Sequence, residues 1–537
     1  MIPVLLIAVL LFAAAVSYGI VSRRADRFES PVPLALFRIT YGAILFLEVA
    51  QMYYYEHLIT DPVPWLGGRE THLIYPLWLA VIACLTLGLF TRAMTVANYV
   101  IGFVTISGFH DFEYHVDYII TGLNLLLLVT PVSQRLSLDS LRATHAAARA
   151  GISLEPPQVS ALYRTLFVFV GLGLVYFDST FWKLASPMWT AGLGVWLPAS
   201  LPHITWLDMS PFLDREWLAK GLGYLTLIFE MSFIVLMWFR ALAVPLTIVG
   251  VGLHLGIAAA FPIPWFGLTC AALYLLVLPP SVYTRLGGWR RGRVPTLTLR
   301  AAAGNDRVPG SRERAAATSQ DEVAGGIVRS SMPGPAKIAL GILIGALIVG
   351  QAAAIVQSPI GRAAARRLGG PELMVRLATL GRQATRSVWQ PFMGVTAHPV
   401  FMDFHFQGYN HIVTIVETET GGEDVWLPMF RPSGHAHWMS SGRIWVHWNW
   451  RCVASRIQES RLSKCVRLFT EFWLRQQGRG DPIADSTFRI LVKRTDVPTA
   501  WKAGFLRRQK AREWLDGGVA QWRDGKFEAS LRPLETL

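Results

Sequence analysis

MIPVLLIAVLLFAAAVSYGI (Met1–Ile20) carries no charged side chain, and VSRRADR (Val21–Arg27), which follows it, carries three arginines. A helix of about 20 apolar residues spans the hydrocarbon core of a bilayer. A secretory signal would place its basic residues before the apolar run; here they come after it. By the positive-inside rule the segment is expected to stay in the membrane with its N-terminus outside. Nine more apolar segments follow, at about 33–52, 72–90, 94–109, 115–131, 161–180, 220–238, 241–261, 264–282 and 336–357. The expected fold is therefore an all-α polytopic membrane domain of about nine to ten transmembrane helices.

Composition agrees. Of 537 residues, 52% are hydrophobic and 16% are charged, against about 25% charged in soluble domains. The net charge of +14 does not point to nucleic acid, because the arginines cluster beside apolar runs. Arg92, Arg135, Arg142, Arg149, Arg240, Arg285, Arg290, Arg291 and Arg293 all fall on the cytoplasmic side if ten segments cross. Both termini are then external, in a protein expected in the cell inner membrane. Arg362, Arg366 and Arg367 fall on the other side and break the pattern.

Four regions result: a multi-spanning domain over 1–285, a flexible cytoplasmic linker over 286–335, a helix over 336–357 and an extracytoplasmic domain over 358–537. The linker is rich in Ala, Gly, Ser and Arg and poor in aromatics, so it cannot bury a core. The last region reads as β-rich, with FMDFHFQGYNHIVTIVETETGGEDVWLPMF (401–430) broken by a Gly-Gly turn and GRIWVHWNW (442–450) alternating. Its end, KAREWLDGGVAQWRDGKFE (510–528), reads as an exposed helix. An external location favours a disulfide between Cys452 and Cys465, contributing about 3 kcal/mol. His435, His437 and His447 could serve a metal, but no acidic or cysteine ligand lies close in spacing, and no metal is assigned.

Ionisable side chains within apolar segments mark interiors or cavities. They are Arg38, Glu48, His115, Lys183, Glu230 and His254. On the ten-span topology His115, Lys183 and His254 lie toward the same outer face. A desolvated lysine can act as a base, and a histidine can donate a hydrogen bond to a developing anion. Arg38 and Glu230 are expected to be structural, pairing within the bundle. Trp189, Trp196, Trp206 and Trp217 belong at the headgroup level, or over a hydrophobic ligand.

ALFRITYGAILFLEVAQ (35–51), YHVDYIITGLNLLLLVTPVSQRLSLDSL (114–141), VYFDSTFWKLASPMW (175–189) and GLHLGIAAAFPIPWFG (252–267) resemble, in that order, the membrane domain of the vitamin K-dependent gamma-carboxylases and their bacterial HTTM relatives. The resemblance covers about 28–285. It implies a lyase-type carboxylase that takes reduced vitamin K or another quinol, with oxygen and carbon dioxide. The family's basic lysine, in its KKLD motif, corresponds to Lys183 in WKLA. Its assisting histidine corresponds to His115, and the histidine before its FP stretch to His254. Ala185 stands where the family has aspartate, and nothing in the tail resembles the family's propeptide-binding part. Two other functions fit the same residues: a non-catalytic scaffold whose tail binds an extracytoplasmic partner, and a lipid- or quinone-binding protein without redox chemistry.

Overall fold

The computed structural model describes residues 2–59, 71–107, 112, 114–283, 331–406, 411–418, 424–453 and 459–537. The expected linker lies almost wholly outside these residues. Among the described residues, each of the ten apolar segments forms a helix. Six are long and apolar enough to cross a membrane by length and composition: Ile2–Arg24, Val32–Tyr54, Ala161–Lys183, Glu216–Leu236, Arg240–Ala260 and Gly334–Ile355. Leu73–Leu87, Val116–Val129 and Pro264–Val277 are shorter apolar helices, and Thr91–Ser107 completes the set.

Val32–Tyr54 packs against both Thr71–Leu87 and Pro264–Val277, and Ala161–Lys183 lies against Glu216–Leu236. Ile2–Arg24 pairs with Gly334–Ile355 across more than half the chain, the Ser17 hydroxyl donating to the Gly341 carbonyl. Leu6, Ile7, Leu11 and Phe12 of the first helix remain exposed, as lipid-facing residues of a spanning helix would be. Arg38 is buried and donates to the carbonyls of Val132 (2.8 Å) and Leu136 (2.5 Å). It therefore holds the turn after Val116–Val129 instead of pairing with a carboxylate.

The chain after Gly334–Ile355 does not simply leave the bundle. Pro359–Ala384 kinks at Gly369–Gly370, and its return limb continues as a π-helix, Thr385–Met393. That limb reaches the middle of neighbouring helices: Trp389 Nε1 donates to the Ala346 carbonyl (2.8 Å), and Tyr99 donates to the Phe392 carbonyl (2.7 Å). Gly394 then reverses the chain with φ +68°, where a Cβ would overlap the Tyr118 carbonyl oxygen. No other residue fits that approach. The segment 385–402 thus folds back against the bundle, with its irregular backbone packed on protein.

Beyond it stands a five-stranded antiparallel sheet in the order 425–426, 411–418, 486–494, 515–523, 526–531. Glu459–Gln476 packs on it, with Trp522 Nε1 donating to Thr470 Oγ1 (2.9 Å). The sheet bears out a β-containing tail, but two local expectations fail. The exposed helix expected over 510–528 is mostly a β-hairpin, Leu515–Arg523 with Lys526–Leu531. Asp524 and Gly525 both take positive φ in its two-residue turn, the conformation that Asp-Gly favours. Gly-Gly at 517–518 would also weaken a helix there. GRIWVHWNW is not a strand either: Arg443–His447 is helical and runs into a π turn over Trp448–Cys452. Its alternation is overridden by tertiary demands, since Trp448 must donate to Val413 and Cys452 forms the expected disulfide with Cys465.

The tail docks on the end of the bundle that carries Lys183. Arg443 Nη1 and Nη2 hold the two Asp117 oxygens at 2.8 and 2.5 Å, all buried, and Nη1 also donates to the Phe112 carbonyl. Trp445 Nε1 donates to the His203 carbonyl (2.7 Å), and Lys510 pairs with Asp208 (2.6 Å) at the exposed rim.

Removing one partner of a buried pair strands the other charge. Arg443→Ala is expected to cost about 3–5 kcal/mol, and Lys510→Ala about 0–1 kcal/mol, in unfolding of the purified full chain. Equal losses would refute the assignment of Arg443 as the anchor. Burial pushes His203 down to about 3 and His405 to about 4. Both are held neutral in the fold, whereas the unfolded chain takes up protons near pH 6.5. Stability is therefore full above pH 6.5 and falls as pH drops toward 3–4, by about 2 kcal/mol per histidine at pH 5. Thermal unfolding at pH 7.5 and 5.0 measures this, and a flat profile would contradict it.

Candidate functional site

Lys183 ends its helix, yet it is 5% exposed, while its neighbour Leu184 is 41% exposed. Tyr176, Ser179 and Lys183 recur at helical spacing and line one cavity of about 210 Å³. The lysine is thus on the interior face and does not snorkel. Glu230, on Glu216–Leu236, is aimed at it. Lys183 Nζ lies 2.5 Å from Glu230 Oε1 and also bonds Oε2, and Nζ stands 4.5 Å from the centre of the Trp189 ring. Glu230, expected as a structural residue, is therefore the lysine's own partner and a wall of the same cavity.

His254 lines that cavity from Ala243–Ala260. Its Nε2 is hydrogen-bonded to the Tyr176 hydroxyl, which lies 2.7 Å from the Tyr274 hydroxyl. Its Nδ1 is buried without a hydrogen-bond partner among the described residues. Tyr274 reaches this position because Gly250 leaves room: a Cβ there would run into the phenol ring. Gly267 similarly lets Pro264–Val277 approach the His254 carbonyl.

His115 is not in the cavity wall. It stands behind His398, ring centroids 4.9 Å apart and edge-on, and His398 does line the cavity. The His398 amide donates to Asp178 Oδ2 (2.5 Å), and its Nδ1 lies 3.4 Å from the same oxygen. The structure therefore brings Lys183 and His254 to one cavity with Glu230 and His398, and leaves His115 one ring away.

Sequence reading misses His398, which arrives on the 385–402 segment and belongs to no apolar run. Asp178 carries a signal, an aspartate five residues before Lys183 in an otherwise apolar stretch. Of the tryptophans, Trp189 and Trp196 are buried in the cavity wall, whereas Trp217 is 71% exposed.

Apart from Thr226, the remaining walls are mainly apolar, including Val195, Leu253, Ile257 and Phe401. An apolar chamber with a few convergent polar groups suits a lipophilic ligand with an ionisable or hydrogen-bonding head. His435 and His437 are each engaged locally. His435 faces Thr205 Oγ1 (3.0 Å), and His437 accepts from its own loop at Met439 (3.3 Å). Among the described residues, the one group with metal-like spacing is His447 with Cys452 and Cys465, and both sulfurs are consumed by the disulfide.

Comparison with known proteins returns no match: no family model, no curated protein and no solved structure.

Gly250→Ala drives a methyl into the Tyr274 ring and is expected to cost about 1–3 kcal/mol. At Gly252, two residues on, the space a methyl would take has no neighbour within 4 Å, so Gly252→Ala is expected to be near neutral. Thermal unfolding compares the two; similar midpoints would remove the tight contact from the account.

Proposed function

We propose that this is an integral membrane protein that binds a quinol-type lipophilic ligand beside Lys183 and removes a proton from its hydroxyl. The observation that carries the reading is one apolar cavity lined by Lys183, Glu230, His254 and His398. The ten helices cross the membrane, with the N-terminus and the tail outside the cytoplasm of an inner-membrane protein. The arginine pattern and the docking of the tail on the Lys183 end both support that topology.

Lys183 and Glu230 act as a unit. At rest they share one proton between amine and carboxylate. When a ligand hydroxyl enters, the unit takes a second proton and ends as an ammonium beside a neutral carboxylic acid. Its charge rises from zero to +1, opposite the anion left on the ligand. This end state is the same whichever atom holds the shared proton at rest, so neither residue is the base alone. His254 orients toward the ligand oxygen through its unpaired Nδ1, with Tyr176 and Tyr274 fixing the ring. Asp178 orients His398, and His115 backs it. Trp189 and Trp196 cover the chamber and exclude water.

A quinol when bound supplies a reducing, lipid-soluble pair of hydroxyls. The chamber's apolar walls and convergent polar groups fit such a head. Carboxylase-type lyase chemistry, with oxygen and carbon dioxide, extends this reading on the strength of the sequence resemblance alone. A quinone- or lipid-binding protein without chemistry is the second reading, favoured by alanine at position 185 where the family has aspartate.

The test uses purified full chain with a menaquinol analogue, following binding by Trp189 quenching and proton transfer by the ultraviolet shift of the ionised hydroquinone. Lys183→Ala and Glu230→Gln are each expected to lower the rate of ionisation by about 100-fold or more, and a native rate in either would overturn the paired assignment. Lys183→Arg keeps the cation beside Glu230 but cannot be deprotonated, so it separates the two proton acceptors: a retained rate places the incoming proton on Glu230, and a lost rate places it on the lysine amine. Binding without any ionisation in the native protein would decide for the second reading.

A further inference from the structure

A second cavity lies at the opposite end of the bundle from Lys183, with a volume of about 540 Å³. It forms where Ile2–Arg24, Ala161–Lys183, Glu216–Leu236 and Pro264–Val277 present the ends remote from the tail. Arg24, Arg27, Arg164 and Arg240 line it, with Glu29 as the single carboxylate of the lining. Arg164 takes both Glu29 oxygens, at 2.5 and 3.0 Å, and also donates to the Leu276 carbonyl. That pair is internally neutral, so Arg24, Arg27 and Arg240 leave three positive charges without a bonded counter-charge among the described residues. Arg24 is packed over the Trp238 ring, 5.7 Å from its centre, which fixes its guanidinium at the wall. A neighbouring cavity shares Arg24, Arg27 and Trp238 and adds Arg23.

Arginines placed only to orient a membrane protein project from loops into water. Here they converge on a concavity whose inner wall is apolar, formed by Val168, Met237 and Val277. Three cations held together repel one another, and an anion between them removes that repulsion. A phosphate matches the planar forks of the arginines, and the apolar residues of the same lining suit the acyl part of a lipid. Basic pockets between helices at the cytoplasmic face are suited to anionic headgroups.

We infer that Arg24, Arg27 and Arg240 hold the phosphate of an anionic phospholipid. The site is independent of the chemistry at Lys183 and needs only that the helices cross the bilayer.

The full chain, purified in mild detergent, is offered equimolar phosphatidylglycerol and phosphatidylcholine, and retained lipid is counted by native mass spectrometry. Preferential retention of phosphatidylglycerol is expected. Arg27→Gln and Arg240→Gln are each expected to reduce it about fivefold, and their effects to multiply in the double variant. Both side chains are exposed at the cavity mouth, so the variants should fold, and Arg27→Lys should retain most of the preference. Arg142→Gln, on the separate helix Leu138–Arg149, is the control for general surface charge. Equal losses in Arg142→Gln and Arg27→Gln, or no preference between the two lipids, would overturn the site. A second arm adds millimolar inorganic phosphate. Thermal stabilisation by the free ion, lost in the double variant and accompanied by no lipid preference, would overturn the lipid as the source of the phosphate.

Discussion

Burying the Lys183 amine obliges the bundle to bury Glu230 beside it. An isolated ammonium in a low-dielectric interior costs several kcal/mol, and only a well-placed anion offsets it. Ala161–Lys183 and Glu216–Leu236 must therefore face each other in one rotational setting. A shift of either helix by one residue turns its charged group by about 100°, away from its partner. The remaining site residues follow from that setting: Tyr176 and Ser179 share the lysine's face, and Tyr176 meets His254 and Tyr274. The pair thus sets the packing around the cavity.

The same constraint recurs twice with the C-terminal half of the chain. Asp117 is buried at the start of Val116–Val129 and is matched by Arg443 from the tail. Asp178 is buried on the same helix as Lys183 and accepts from the His398 backbone amide of the 385–402 segment. Helices of the bundle thus carry carboxylates whose partners lie more than 200 residues later. The bundle and the tail are one structure electrostatically, although their compositions differ sharply.

That division explains what is legible in the sequence. The ten helices are readable because long apolar runs have few alternatives. Lys183 and His254 stand out because a charged or polar group inside such a run is rare. Glu230 is visible for the same reason, but its partner is not, since which faces meet depends on packing absent from a one-dimensional pattern. His398 is hidden, because PFMGVTAHPVF has neither a spanning length nor a clean period. The tail's final hairpin escapes even though Asp524-Gly525 marks a tight turn, because the charged residues around it suit a helical surface equally well. Arg443 lies in an alternating stretch that its ion pair and the nearby disulfide force into a helix.

The pairing of Ile2–Arg24 with Gly334–Ile355 has a consequence in time. Ser17 and Gly341 are 324 residues apart, and chains are synthesised at about 5–20 residues per second. The first helix therefore precedes its partner by roughly 16–65 s. It can do so because residues 2–22 carry no charged side chain, so no buried charge waits for a partner. The helices that do carry such charges lie between these two, and their last counter-charges emerge later still. Assembly of this molecule thus ends with its electrostatics, after a long interval in which the greasiest helix stands alone.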